Sequence, residues 1–143
     1  MAALRRRRPR PSAEARRRVS VANTGLGKIL VDSRGRTLYL FRKDAGTKNA
    51  CSGGCATAWP PLRASGKPTA GGGAKASLLG TAPRSDRKPQ VTYDGHPLYE
   101  FQGDSKSGDT DGQAVTAFGA PWYVLSSSGA DITTASSGGG NGY

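Results

Sequence analysis

The sequence predicts an all-β fold, a small sandwich or barrel built from two duplicated β-hairpin repeats. Three observations support this prediction. The chain repeats itself at an offset of sixty residues, each copy has the strand–turn–strand pattern of a β-hairpin, and no stretch combines a helical period with caps. The length of 143 residues corresponds to one ordinary domain.

The duplication is visible without a gap when residues 28–44 are aligned with residues 88–104. Seven positions are identical: Lys28/Lys88, Val31/Val91, Gly35/Gly95, Leu38/Leu98, Tyr39/Tyr99, Phe41/Phe101 and Asp44/Asp104. Each copy is followed by a Trp and, three residues later, a Leu, in WPPL (59–62) and WYVL (122–125). Two copies are too few for an open solenoid, so we expect two halves that share one core.

The clearest hairpin is in the second copy, where Asp94-Gly95 forms the dipeptide typical of a tight type I′ turn. Both central residues of such a turn need positive φ. In the strand that follows each turn, period-two alternation places the aromatic residues on one face. We expect this face to point into the core, and it carries Tyr39 and Phe41 in the first copy and Tyr99 and Phe101 in the second. Large rings can supply burial that the few aliphatic residues do not.

Composition changes divide the chain into segments. The predicted segments are a disordered Arg-rich arm (1–21), a duplicated β domain (22–134) with repeats at about 25–63 and 85–128, a flexible patch inside it (64–76), and a flexible Gly/Ser tail (135–143). Residues 1–18 carry a net charge of +7 out of +11 for the whole chain. Such an arm is suited to non-specific contact with anionic lipid or nucleic acid, and charge alone gives no specificity.

The two cysteines, Cys51 and Cys55, are separated by three residues that include Gly53-Gly54. Glycines let so short a loop close, so a structural disulfide is the favoured interpretation, and it implies an oxidising compartment. The alternative is a metal or redox site, because two thiolates and the imidazole of His96 could together hold copper or zinc. His96 stands at a turn where the first copy has Arg36, which weakens this alternative.

The sequence contains no catalytic motif, so we expect a non-enzymatic protein without a cofactor. A G-x-S-x-G nucleophile motif is absent, and the Gly-rich run at 71–75 lacks the Ser or Thr that ends a P-loop. Asp104, Asp109 and Asp111 crowd one polar segment, but their spacing does not fit an EF-hand. We therefore favour turn caps for this segment, with a cation site as the open alternative. We also leave open whether Asp44 and Asp104 cap turns or bind a ligand.

These motifs together resemble the secreted repeats of unknown function, predicted bacterial lipoproteins with a Tyr-x-aromatic-x-x-Asp motif. That motif occurs twice, at 39–44 and at 99–104. The resemblance covers about residues 25–128, and its motif residues are Tyr39, Phe41, Asp44, Trp59, Pro60, Pro61, Tyr99, Phe101 and Asp104. It implies export to the cell envelope and supplies no catalytic residues. Members usually begin with a signal peptide, and residues 1–30 here lack its apolar centre.

Three hypotheses about function follow. The first is a non-enzymatic, extracytoplasmic domain that binds an envelope protein or a small molecule. The second is an envelope metal or redox protein that uses Cys51, Cys55 and His96. The third is a cytoplasmic nucleic-acid binder that uses the Arg-rich arm.

Overall fold

The structure is a computed structural model that describes residues 18–46, 48–64, 66–84 and 89–134. Its strands are β1 (Arg18–Thr24), β2 (Gly27–Val31), β3 (Tyr39–Phe41), β4 (Thr69–Ala70), β5 (Leu79–Ala82), β6 (Gln90–Tyr93), β7 (His96–Pro97), β8 (Thr116–Ala117) and β9 (Ala120–Val124). A short helix, α1 (Gly54–Ala58), and a 3₁₀ turn (Ala76–Leu78) complete the described elements. No helix in these ranges is long and apolar enough to cross a membrane.

The strands form three small sheets with the orders β2-β1-β4, β3-β9-β8 and β5-β6-β7. All neighbouring strands are antiparallel except β1 and β4, which are parallel. The all-β prediction is confirmed. The described strands do not close into a barrel.

Strand β1 covers residues 18–21, which the sequence analysis placed in the disordered arm. Its pairing with β2 and β4 orders these residues. The patch at 64–76 also contains structure, because its strand β4 pairs with β1 and the Gly71 amide donates to the Val19 carbonyl at 2.7 Å. The remaining arm residues, 1–17, and the predicted tail at 135–143 lie outside the described residues.

The second hairpin has the predicted turn. Asp94 and Gly95 have φ angles of 53° and 80°, as a type I′ turn requires, and Tyr93 pairs with His96 across it. The first hairpin has one residue more. The Leu38 amide donates to Leu30, whereas the Leu98 amide donates to Val91, so Leu30 rather than Val31 occupies the place of Val91.

The two repeats meet at Tyr39 and Tyr99, which form an antiparallel bridge. The amide of each tyrosine donates to the carbonyl of the other, at 2.8 and 3.0 Å. The Trp segments cross over: β9 of the second repeat pairs with β3 of the first, and Pro61 of the first pairs with Tyr99 of the second. The two halves therefore form one folded unit, but its interior is divided into two cores where the duplication predicted one.

Both faces of the strands around this bridge are buried. The aromatic face points into a core with the cysteines and both tryptophans: Ile29, Val31, Tyr39, Phe41, Cys51, Cys55, Trp59, Tyr99, Trp122 and Val124. The opposite face points into an aliphatic core: Val19, Leu30, Leu38, Leu40, Leu62, Ala64, Val91, Tyr93, Leu98 and Leu125. The rings thus dominate one of the two cores, whereas the other is mostly aliphatic and contains the ring of Tyr93.

Four rings form a stack through the aromatic core. Phe41 stacks on Trp122 at 4.0 Å between centroids, Trp122 on Trp59 at 3.9 Å, and Trp59 on Phe101 at 4.2 Å. Each contact joins a ring of one repeat to a ring of the other. Tyr39 and Tyr99 meet the stack edge-on, which is a favourable geometry for aromatic pairs.

We predict that Gly112→Ala destabilises this stack. A Cβ at Gly112 would lie 2.7 Å from a ring carbon of Trp59, and the ring is held between two neighbours. Overpacking of this kind costs about 1–3 kcal/mol of unfolding free energy, measurable by chemical denaturation. The matched control is Gly54→Ala in α1, where a Cβ meets nothing within 4 Å; it is neutral or stabilises by about 0.5–1 kcal/mol. Equal effects of the two changes would contradict the prediction.

Candidate functional site

The residues of the Tyr-x-aromatic-x-x-Asp motif lie together at the junction of the two repeats. The tyrosines, the phenylalanines and Trp59 line the aromatic core. Pro60 and Pro61 pair with the second copy of the motif, where the Glu100 amide donates to the Pro60 carbonyl at 2.7 Å. The junction therefore brings the predicted motif residues into one region of the fold.

Each motif tyrosine bonds to the motif aspartate of the other repeat. The Tyr39 hydroxyl donates to Asp104 Oδ2 at 2.7 Å, and the Tyr99 hydroxyl donates to Asp44 Oδ2 at 3.0 Å. We call these two contacts the reciprocal Tyr–Asp bonds. They use the Tyr and the Asp of both copies of the motif. They join the repeats through side chains, as the Tyr39–Tyr99 bridge joins them through the backbone.

The second oxygen of each aspartate holds its own loop. Asp44 Oδ1 accepts from the Ala50 amide at 2.6 Å, and Asp104 Oδ1 accepts from the Asp111 amide at 2.8 Å. Both aspartates therefore cap a loop and also bind a tyrosine of the other repeat.

Burial governs the ionisation of these groups. It raises the pKa of both Tyr39 and Tyr99 above the ordinary range, and the facing carboxylates raise it further, so both phenols remain hydrogen-bond donors. Burial also raises the pKa of Asp44 and of Asp104 to about 6, against the lowering effect of the hydrogen bonds that each carboxylate accepts.

Cys51 and Cys55 form the predicted disulfide, with an S–S distance of 2.04 Å. Both are buried in the aromatic core, and the Cys51 carbonyl accepts from the Arg84 guanidinium at 2.8 Å. The Trp59 amide donates to the Cys55 carbonyl at 2.7 Å, so the segment that the disulfide closes also positions Trp59.

The metal alternative finds no assembled site in the described part of the chain. His96 is half-buried in β7 opposite Tyr93, and the two cysteine sulfurs bond to each other. Within residues 18–46, 48–64, 66–84 and 89–134, no group of three or more His, Cys, Asp or Glu side chains could hold a metal ion.

In the Asp-rich segment, Asp109 is a turn cap, as the sequence analysis favoured. Its Oδ2 accepts from the Ser105 amide at 2.9 Å, the Ser105 hydroxyl at 3.1 Å and the Lys106 amide at 3.2 Å. These hydrogen bonds, with that from the Ser105 amide the largest, lower the pKa of Asp109.

A cavity of about 440 Å³ lies beside the junction. Residues of both repeats line it: Asp32, Ser33, Arg34, Pro61, Leu62, Arg63 and Glu100. We call it the Glu100 cavity. One feature of the sequence points to this cavity: Glu100 places a carboxyl where the first copy has the buried Leu40.

Two carboxyl groups face each other in the Glu100 cavity. Asp32 Oδ1 accepts from the amides of Arg34 and Arg36, at 2.8 and 3.0 Å. The Arg34 guanidinium lies 3.8 Å from Asp32 Oδ2 and 3.6 Å from Glu100 Oε1, and its side chain is 68% exposed. Burial, together with the hydrogen bond to Asp32 and the negative charge of Asp32, raises the pKa of Glu100 to about 8, which Arg34 and Arg36 partly oppose. Glu100 therefore holds a proton more tightly than an ordinary carboxyl group does.

These features define a class of protein: a β domain of two repeats, in which the Tyr and Asp of each copy bind the Asp and Tyr of the other. A disulfide closes a short loop of the first repeat. The model of the family described as a secreted repeat of unknown function matches residues 20–63 and 80–126. The chain belongs to this family, so the resemblance inferred from the sequence is confirmed. No curated protein and no solved structure matches the chain.

We predict that the reciprocal Tyr–Asp bonds stabilise the fold as coupled pairs. Tyr39→Phe removes the phenol that donates to Asp104 Oδ2 and that accepts from the Gly112 amide, and should cost about 1.5–3 kcal/mol of unfolding free energy. In a double-mutant cycle with Asp104→Ala, which removes the acceptor, Tyr39 and Asp104 should show a coupling energy of about 1 kcal/mol or more, measured by chemical denaturation. Tyr39 with Asp44 is the control pair, because those two side chains share no hydrogen bond. Additive effects of Tyr39 and Asp104 would contradict the prediction.

We predict that the unfolding free energy falls as pH rises from about 4 to about 8. Asp44 and Asp104 bind a proton more tightly in the folded state, with pKa values of about 6 against an ordinary 3.8, and Glu100 has a pKa of about 8 against 4.5. In this window the unfolded chain has already lost protons that the folded chain keeps, so raising the pH favours unfolding.

Denaturant titrations between pH 4 and pH 9 measure this slope. Glu100→Gln keeps a hydrogen-bond donor and removes the ionisation, so the slope between pH 6 and pH 8 should become flatter. A wild-type stability that rises with pH over this window, or an unchanged slope in Glu100→Gln, would contradict the assignment.

Proposed function

We propose that the chain is a non-enzymatic binding module that works outside the cytoplasm, and that the Glu100 cavity is its ligand site. The observation that carries the proposal is the division of polar groups at the junction. The tyrosines and aspartates of the motif bond to each other across the repeats, whereas the Glu100 cavity presents the Arg34 guanidinium, on a side chain that is 68% exposed, where a ligand can reach it.

The bonding of the motif residues argues against a catalytic role for them. Both oxygens of Asp44 and both oxygens of Asp104 already accept a hydrogen bond from the protein. A general acid or base must be within hydrogen-bond reach of a substrate proton. Using Asp44 or Asp104 in that way would break the contact that joins the repeats, so we assign these residues to the fold.

The Glu100 cavity has the composition expected of a small-molecule site. Pro61 and Leu62 provide an apolar wall, while Ser33, Arg34 and Arg63 add a hydroxyl and two guanidinium groups. Its volume of about 440 Å³ falls in the usual range for ligand pockets. Arginine guanidinium groups bind carboxylates and phosphates well. We infer a small polar ligand with an anionic or hydrogen-bond-accepting group and one apolar face.

The extracytoplasmic location is supported by two facts. The family is described as secreted, and the buried disulfide between Cys51 and Cys55 is of a kind that persists in oxidising compartments. A protein that binds a small polar ligand outside the cytoplasm agrees with both facts and with the chemistry of the Glu100 cavity.

A ligand screen with NMR detection tests the proposal. Small carboxylates, phosphates and sugars are added to the ¹⁵N-labelled chain, and the amide shifts are followed. We expect at least one class to shift the amides of Ser33, Arg34, Arg63 and Glu100 as a group, to bind more weakly to Arg34→Gln, and to be recovered chemically unchanged. The control is Lys106→Gln, an exposed charge outside the cavity, which should bind as the wild type does. Chemical conversion of the ligand, or shifts confined to other regions, would contradict the proposal.

A further inference from the structure

The hairpin formed by β8 and β9 has an exposed aromatic residue at its tip. Phe118 is 48% exposed. Among the residues that the structure describes, no other large hydrophobic side chain is exposed. The hairpin beneath it is anchored: Ala117 and Ala120 pack against the aromatic core, and the Trp122 indole donates to the Ala117 carbonyl at 3.0 Å. Phe118 is therefore held away from the core on a fixed support.

The backbone at Phe118 adopts a conformation that an aromatic residue disfavours. Phe118 and Gly119 are the two central residues of a tight turn, with φ angles of 58° and 99°. The turn between β6 and β7 has the same form but uses Asp94 and Gly95, at 53° and 80°. Asp and Asn tolerate positive φ at this position, whereas a bulky side chain is strained there. Since Phe118 is half-exposed, its packing within the chain does not explain why the strained residue is present.

The surroundings of the tip indicate the chemistry of a partner. Residues 117–121 carry no charged or hydrogen-bonding side chain, and the Ala117–Ala120 pair closes the hairpin below the turn. The exposed Lys43 lies beside the turn, with its Nζ 3.3 Å from where a Cβ of Gly119 would stand. A tip with only apolar side chains and a cation at its base fits the interface of an anionic bilayer, where the ring enters the acyl boundary, the turn amides stay among hydrated headgroups and the ammonium meets phosphates.

We propose that the Phe118 tip and Lys43 form a contact site for the surface of an anionic lipid bilayer. The net charge of +11 attracts the chain to such a surface, and the tip adds apolar burial that charge alone does not provide. A protein partner with an acidic rim is the competing source of the same chemistry, and the experiment separates the two.

Co-sedimentation of the full chain with vesicles tests this site. The vesicles contain phosphatidylcholine alone or phosphatidylcholine with phosphatidylglycerol. We expect the wild type to bind the anionic vesicles more tightly. Phe118→Asn should lower that affinity about tenfold, the loss expected for one buried aromatic side chain, while raising the melting temperature by a few degrees because Asn relieves the strained turn. Lys43→Gln should weaken binding, and the charge-matched Lys106→Gln should weaken it less.

A second variant reports the position of the tip directly. Phe118→Trp places an indole at the turn, and the difference in fluorescence from the wild type isolates it from Trp59 and Trp122, which are both buried. Anionic vesicles should shift this emission to shorter wavelength. The proposal is overturned if Phe118→Asn binds anionic vesicles as tightly as the wild type, if Lys43→Gln and Lys106→Gln weaken binding equally, or if the emission of the Trp variant does not change. In those cases the charge of the chain alone accounts for lipid binding, and contact with a protein partner is the remaining explanation for the exposed Phe118.

Discussion

The fold depends on the need to satisfy two buried phenols at the junction of the repeats. Tyr39 and Tyr99 must be deep in the core for their rings to meet the four-ring stack edge-on, and a buried hydroxyl without a partner is costly. Each hydroxyl finds the aspartate of the other repeat, at 2.7 and 3.0 Å. Because each aspartate also caps the loop that follows it, one contact joins the repeats, closes a loop and buries a ring. Neither repeat can complete its own motif without the other.

This arrangement separates the residues that build the fold from those that face other molecules. The Tyr and Asp residues of the motif bond to each other at the junction. The two repeats differ in the segments around it. Before Trp59 the first repeat has helix α1 and the disulfide, whereas before Trp122 the second repeat has the hairpin that carries Phe118. The turn of the first repeat supplies Asp32 to the Glu100 cavity. Duplication thus provides a fixed frame, and unlike loops provide the candidate binding surfaces.

Local chemistry explains what could be predicted from the sequence. Asp94-Gly95 specifies its turn through its own φ preferences, and Cys51 and Cys55 are close enough in the chain to pair without knowledge of the fold. The Tyr and the Asp of the motif are the same in both copies, so the sequence does not show which Tyr contacts which Asp. The crossed pairing therefore could not be predicted from the sequence. Glu100 illustrates the same limit at the candidate site: its raised pKa depends on burial and on Asp32, which comes from the other repeat.

Native-state hydrogen exchange at the amides of Tyr39 and Tyr99 tests most directly whether the repeats form one interlocked unit. Each amide donates to the carbonyl of the other tyrosine, at 2.8 and 3.0 Å, so neither can open while the junction is intact. If the account is right, both amides exchange only through global unfolding and give the same free energy, equal to that from chemical denaturation. A free energy for one amide well below the global value would show that its repeat opens on its own, and would contradict the account.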